Sequence, residues 1–500
     1  MAGIMIAAPS SGSGKTMITC GLLELLKRKG IEPWAFKCGP DYIDGLFHRQ
    51  VLNVEGGNLD SFFETPEHMG EKLARVSREH FVVAEGVMGY FDGMGGISTE
   101  ASSFEVAGLL GLPVVLVVDA RGASLSLAAQ IQGFLTFPAA LPQGQSRPKN
   151  GIAAIIFNHM SPMMYPRMKK LTEELTGIPV AGCVPELPFL KVASRHLGLV
   201  LPGEIENLRE QMRQLADSLE KHLDWELLVR IGEGAARPGL LPGAEPGDQG
   251  DQLFDAGAPV RSGSLSEAGQ AARPDMPFTA GFSPFRLGVA WDETFCFYYS
   301  DNLELLKALG AQLVYFSPLH DRQLPEKLDG IILGGGYPEN YAAKLSANKS
   351  MGQDIVRMAK QGMPMLAECG GYLYLLQELE GSDGRVYPMA GVFPGKGYRK
   401  GKNSHFGYIR LEPVRETIYL KEKETIKGHE FHYWDCQCQE ASCDMEAVKP
   451  VGGRSWPCIR TYKQVMAGFP HLYYPSCPQL ARRFGEACRT FAKRSGGVLT

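Results

Sequence analysis

Between about Gly232 and Pro284 the 500-residue chain loses its apolar periodicity, and Gly, Pro, Ala, Asp and Ser dominate. Such a stretch cannot bury enough apolar surface to fold and reads as a flexible linker over 232–284. The expected division is therefore residues 1–231, a tether, and residues 285–500, with a separate core in each half. Both halves alternate short apolar strands with helix-like segments, which is the rhythm of α/β folds with a parallel sheet.

The first half opens with an apolar strand, Ile4 to Ala8. Pro9-Ser10-Ser11-Gly12-Ser13-Gly14-Lys15-Thr16 and a helical pattern, Ile18 to Leu26, follow. Strand, small-residue loop, Gly-Lys-Thr and helix form a phosphate-binding loop in its expected context. Gly12, Ser13 and Gly14 let backbone N–H groups approach phosphate oxygens, Lys15 supplies positive charge, and Thr16 offers a hydroxyl to Mg²⁺. Pro9 stands where such loops usually carry their first glycine.

Further strands are expected at Trp34 to Cys38, Phe81 to Ala84, Pro113 to Val118 and Ile152 to Phe157. Ligands of parallel sheets sit at the carboxyl ends of the strands, and acids gather there: Asp41 and Asp44, Glu85 and Asp92, and Asp119. Magnesium needs one or two carboxylates beside nucleotide phosphates, and Asp41 and Glu85 are placed for that. Each acid alone could equally cap a turn. Asn158 is a candidate for the adenine edge, and Arg195-His196 for an anionic ligand.

The second half centres on Pro364-Met365-Leu366-Ala367-Glu368-Cys369-Gly370-Gly371-Tyr372, where an apolar strand meets a cysteine, two glycines and an apolar, helix-like segment, Tyr372 to Leu379. This is the pattern of a nucleophile elbow. Backbone N–H groups at the helix start are expected to lower the thiol pKa. A buried structural cysteine beside a helix cap is the alternative. A strand ending in Gly334-Gly335-Gly336 exposes N–H groups, so Gly336 and Gly370 form a candidate oxyanion site. His471, about a hundred residues after Cys369, is the candidate base. Gly428-His429-Glu430-Phe431-His432-Tyr433 fails the zinc-protease spacing, and Cys436, Cys438 and Cys443 lack paired CxxC knuckles.

A net charge of −4 gives no reason to expect nucleic-acid binding. The opening residues lack a basic region before an apolar core, and no run of about 18 apolar residues occurs, so neither a signal peptide nor a membrane span is expected. Eleven scattered cysteines suit a reducing cytoplasm.

Taken in order, Gly12 to Thr16, Gly39-Pro40-Asp41-Tyr42-Ile43-Asp44, Asn58-Leu59-Asp60, Glu85 to Gly93, Arg195 to Leu199, Gly335-Gly336-Tyr337-Pro338-Glu339, the Cys369 elbow and Gly428 to Tyr433 resemble the glutamine-dependent a,c-diamide synthases of corrinoid biosynthesis. The resemblance covers both halves and leaves out mainly the linker. It implies an N-terminal P-loop domain similar to dethiobiotin synthetase and a C-terminal class I glutamine amidotransferase-like domain. It implies ATP- and glutamine-dependent amidation of the a and c carboxylates of cobyrinic acid, with MgATP at Lys15, Thr16, Asp41 and Glu85. Asp44 and Asp92 would position substrate or metal, or polarise ammonia; Cys369 would attack the glutamine amide with His471 as base. The implied partners are L-glutamine, ATP and a tetrapyrrole polycarboxylate, and a homodimer stays open. Hydrogenobyrinic acid or Ni-sirohydrochlorin are alternative substrates, and a non-catalytic P-loop ATP-binding regulatory protein is the alternative of another class. Most class I amidotransferases carry a Glu two residues after the base; here that position is Tyr473. Trp434 stands where the family commonly has a small residue.

Overall fold

The computed structural model describes residues 2–140, 150–188, 190, 205–234, 282–401, 405–437 and 443–496. The first half runs β1 (Gly3–Ala7), α1 (Lys15–Arg28), β2 (Pro33–Cys38), α2 (Ile43–Phe47), β3 (Gly56–Leu59), α3 (Pro66–Val76), β4 (Phe81–Glu85), α4 (Ser103–Leu110), β5 (Val114–Asp119), α5 (Leu125–Ala140), β6 (Ile152–Asn158), α6 (Tyr165–Thr176), β7 (Val180–Val184), α7 (Ile205–His222) and α8 (Trp225–Gly232). Its seven strands are all parallel, in the order β3-β2-β4-β1-β5-β6-β7. Two apolar layers cover the faces of this sheet, one around Ile4, Leu23 and Leu215, the other around Met5, Phe104 and Phe157. Central strands buried on both faces need apolar residues at nearly every position, which is why β1, β2, β4, β5 and β6 were the legible ones. β3 and β7 escaped: β3 is Gly-Gly-Asn-Leu, with little side chain to signal a strand.

The second half runs β8 (Phe285–Ala290), β9 (Phe295–Phe297), α9 (Ser300–Ala308), β10 (Ala311–Phe316), β11 (Gly330–Leu333), β12 (Gly335–Gly336), α10 (Ala342–Ala347), α11 (Lys349–Gln361), β13 (Met365–Glu368), α12 (Gly370–Leu375), β14 (Leu376–Glu380), β15 (Val386–Pro388), β16 (Phe393–Arg399), β17 (Phe406–Pro413), β18 (Ile426–Phe431), β19 (Trp434–Gln437), β20 (Met445–Val448), β21 (Ser455–Cys458), β22 (Arg460–Tyr462), β23 (Val465–Gly468), β24 (His471–Leu472) and α13 (Pro478–Gly496). The main sheet has the order β10-β8-β11-β13-β23-β22, and smaller sheets flank it.

One expectation needs correction here. The helix after Cys369 ends at Leu375, and Leu376 turns extended (φ −70°, ψ 170°) to open β14. A short apolar run does not distinguish helix from strand; here pairing with β15 and β16 decides it. The proposed linker and Arg195-His196 lie outside the described residues. No helix among the described residues is long and apolar enough to cross a membrane.

The halves meet through a cluster of rings, Tyr42 and Phe63 from the first with Phe297, Tyr299 and Tyr473 from the second. Lys72 pairs with Asp301 at 2.7 Å, the Tyr408 hydroxyl donates to Asp60 at 2.9 Å, and Lys427 Nζ donates to the Phe62 carbonyl at 2.6 Å.

Candidate active sites at the strand ends

The phosphate loop leaves β1 in the middle of the sheet. Gly12 (φ 81°) and Gly14 (φ 96°) hold left-handed backbone, the conformation glycine adopts without steric cost. A Cβ on Gly14 would lie 2.1 Å from Asn158 Nδ2, and that amide donates to the Ser13 carbonyl at 2.9 Å. Asn158 therefore braces the loop with the N–H expected to read adenine. Lys15 Nζ donates to the carbonyls of Ser10 and Met88. Burial, and then the neighbouring Lys37, push the Lys15 ammonium down to about 8. A cation held by neutral carbonyls gains from a polyphosphate.

Glu85 ends β4 fully buried. Its Oε1 accepts from the Thr16 hydroxyl and from Lys37 Nζ at 2.7 Å, and Lys37 also pairs with Asp44. Lys37, Asp44 and Glu85 thus form one buried ionic cluster, which the half-buried Thr16 joins through its hydroxyl. Burial first, offset by Lys37, leaves the Glu85 carboxyl pushed up to about 7. Glu85 Oε2 is buried without a hydrogen-bond partner. A hydroxyl, an open carboxylate oxygen and further acids are the hard oxygen donors that Mg²⁺ takes, so these residues fit it. Asp41 Oδ1 accepts from the backbone N–H of Ile43 at 2.8 Å and of Asp44 at 3.4 Å, capping its own turn through one carboxylate oxygen. Asp92 Oδ2 likewise accepts from Gly89 N at 2.9 Å. Lys37 was missed by sequence reasoning; its signal was a charged residue near the end of an otherwise buried strand.

In the second half Cys369 has φ 47° and ψ −101°, a strained conformation worth about 1–3 kcal/mol that marks nucleophile elbows. Its N–H donates to the Gly468 carbonyl at 2.8 Å, which closes the β13–β23 ladder. His471 follows three residues after Gly468 and opens β24, which pairs with β18. A Cβ on Gly335 would lie 2.2 Å from His471 Cε1, and one on Gly370 would lie 3.0 Å from Gly336 N. The glycines are thus needed for close approach, and Gly336 and Gly370 adjoin.

The electrostatics differ from expectation. The Cys369 thiol is raised, not lowered: burial dominates, the charges of Glu339 and Glu430 add to it, and the Gly370 N–H only partly offsets them. Burial drives His471 down to about 3. Just past the end of β18, His432 Nε2 lies 3.1 Å from Glu430 Oε2 and its Nδ1 donates to the Trp434 carbonyl. The half-buried His405, just before β17, has its Nδ1 3.4 Å from the same carboxylate oxygen, so three groups gather around one buried carboxylate. Cys436 Sγ lies 3.5 Å from the Tyr372 hydroxyl; Cys438 is outside the described residues.

Residues 4–200 match the family described as CobQ/CobB/MinD/ParA nucleotide binding domain, and residues 286–476 match the CobB/CobQ-like glutamine amidotransferase domain. The cobyrinate a,c-diamide synthase of Listeria innocua is 34% identical over 97% of this chain and 99% of its own length. Those of Listeria monocytogenes and Salmonella typhimurium are 36% and 33% identical, over 96% and 97% of this chain and 98% of each relative.

The chain belongs to the cobyrinate a,c-diamide synthase family. It is a glutamine-dependent, amide-forming ligase of cobalamin biosynthesis with ATP as co-substrate. Two departures within the family acquire structural reasons. Trp434 is buried, and its indole N–H donates to the Glu380 carbonyl at 2.8 Å, so it packs the sheet. Tyr473 is buried at the seam between the halves and its hydroxyl donates to Asp301 at 2.8 Å, the same acid that binds Lys72.

Proposed function

We propose that residues 1–231 activate, and residues 285–500 supply ammonia for, the a and c carboxylates of cobyrinic acid. Thr16, Glu85 and Asp41 would hold Mg²⁺, which when bound neutralises charge on the β and γ phosphates. Lys15 and the loop N–H groups orient the γ phosphoryl group toward a substrate carboxylate oxygen. That oxygen attacks phosphorus, ADP leaves, and an acyl phosphate results. Asp44 and Asp92 border this site and position the carboxylate or the incoming ammonia. At the other site Cys369 attacks the glutamine amide, His471 takes the thiol proton and passes it to the departing ammonia, and Gly336 and Gly370 N–H groups receive the oxyanion. Water, giving a proton to His471, then hydrolyses the glutamyl thioester, and that proton returns to the Cys369 sulfur as glutamate leaves. Ammonia then displaces phosphate from the acyl carbon.

The observation that carries this reading is Tyr42. It lies between Asp41 and Asp44 on the synthetase loop, and its ring sits 5.4 Å from that of His471 and 5.5 Å from that of His429. The two chemistries therefore adjoin. The surrounding rings keep water from the acyl phosphate and favour neutral ammonia over ammonium. The test is product mass spectrometry with cobyrinic acid, hydrogenobyrinic acid and Ni-sirohydrochlorin offered together with MgATP and glutamine. A doubly amidated cobyrinic acid is the expected major product; preferential amidation of either competitor refutes the assignment.

A further inference from the structure

His471 is buried, and its Nδ1 has no hydrogen-bond partner. Its neighbours are Gly335 and the rings of Tyr42 and of His429, the last stacked at 5.0 Å. A base that takes a thiol proton in such surroundings becomes a buried cation, which is costly without a compensating anion. The position two residues on is Tyr473, and it faces Asp301 instead.

A carboxylate does approach from another strand. Glu368, the residue before the nucleophile and the last of β13, brings Oε2 to 3.9 Å from His471 Nδ1. Its other oxygen, Oε1, accepts from the Tyr474 hydroxyl at 3.0 Å. Tyr474 is itself fixed, since its N–H donates to Asn302 Oδ1 at 2.8 Å, while Asn302 Nδ2 donates to the Leu472 carbonyl at 2.7 Å. One carboxylate oxygen is anchored to the segment that carries His471, and the other faces the unpartnered ring nitrogen.

We propose that Glu368 is the positioning residue of the glutaminase site, the carboxylate that holds His471 through Nδ1. A small closure from 3.9 Å makes the Nδ1–H···Oε2 hydrogen bond. That bond fixes the tautomer with Nε2 unprotonated for the Cys369 thiol, and the carboxylate balances the imidazolium once the thiol proton has moved to Nε2. Burial pushes the Glu368 carboxyl up to about 8 and His471 down to about 3, and pairing relieves both penalties.

This inference rests on the roles proposed for Cys369 and His471, so the experiment carries both. Glutamine hydrolysis and ammonia-supported amidation are measured against pH for the full chain and for Glu368→Gln, Glu368→Asp, His471→Ala and Cys369→Ala. Glu368→Gln is expected to lower kcat for glutamine hydrolysis by roughly 10²–10⁴-fold with KM nearly unchanged. Ammonia-supported amidation should persist, and Glu368→Asp should recover part of the loss. With the anion gone, the acid limb of kcat/KM should move to lower pH, which a purely structural role would not produce. A loss below about fivefold, or an unmoved acid limb, overturns the proposal while leaving Cys369 and His471 in place. If Glu368→Gln also loses ammonia-supported activity, Glu368→Asp decides: full glutaminase activity with an unshifted limb supports it, and a loss of both activities refutes it. Glutamine hydrolysis surviving in Cys369→Ala or His471→Ala refutes the underlying reading instead.

Discussion

The two sites handle buried charge in opposite ways. Around β1 and β4 the ionisable groups are paired: Lys37 lies between Glu85 and Asp44, and Thr16 bonds Glu85. Around Cys369 they are isolated. The thiol is raised, His471 Nδ1 has no hydrogen-bond partner, and Glu368 stops at 3.9 Å. A site proposed to receive a polyanion and a cation would benefit from a charged frame already in place. A site proposed to hydrolyse glutamine only on demand would benefit from groups held in their neutral forms. On the proposed roles, the contrast assigns readiness to the first site and restraint to the second.

The sharpest way to break this contrast is Cys369→Ala. Glutamine-supported amidation should fall by at least about 10⁴-fold while added ammonia still supports synthesis; parallel assays with the two nitrogen sources check it, and joint loss would mean the sites are not separate. Next in size is Lys37→Met, which strands Glu85 and Asp44 without their cation. A destabilisation of about 3–5 kcal/mol is expected, read from urea midpoints, and a near-neutral result would show that the pairing is not structural. The smallest effect concerns restraint. Glu339 is buried, and desolvation pushes its carboxyl up to about 7. The folded state therefore keeps a proton that the unfolded chain has lost above about pH 4.5. The stability this gives is complete below pH 4.5 and declines as pH rises through 7. Glu339→Gln should flatten that decline in thermal melts between pH 5 and 8. It should also raise the rate of Cys369 alkylation, since Glu339 is the largest charge opposing the thiolate. An unchanged pH slope would leave restraint to burial alone.

What the sequence disclosed follows the same divide. The phosphate loop was readable because its parts are local: strand, glycines, Lys15, Thr16 and helix lie within one stretch. The elbow and its glycine partners were readable for the same reason. Long-range arrangements were not. That Lys37 bridges Glu85 and Asp44 depends on β2 lying beside β4. That Glu368 faces His471 depends on β13 lying beside β23 and on the short turn from β23 into β24. The direction of the thiol shift was misread because a helix start is visible in a sequence, whereas enclosure by Tyr337, Glu339 and the β18 network is not. α12, at six residues, leaves burial to decide the balance.

The ring cluster at the seam has an evolutionary consequence. Tyr42 stacks on Phe297, and Phe63 stacks on Tyr473, so each half completes the packing of the other. Close-packed interiors register even a methylene change, and here one of the rings, Tyr42, sits beside His471, the proposed base. The halves are therefore poor building blocks for exchange between relatives. Drift at any one ring selects for compensating drift across the seam, tying the history of the nucleotide-binding half to that of the amidotransferase half.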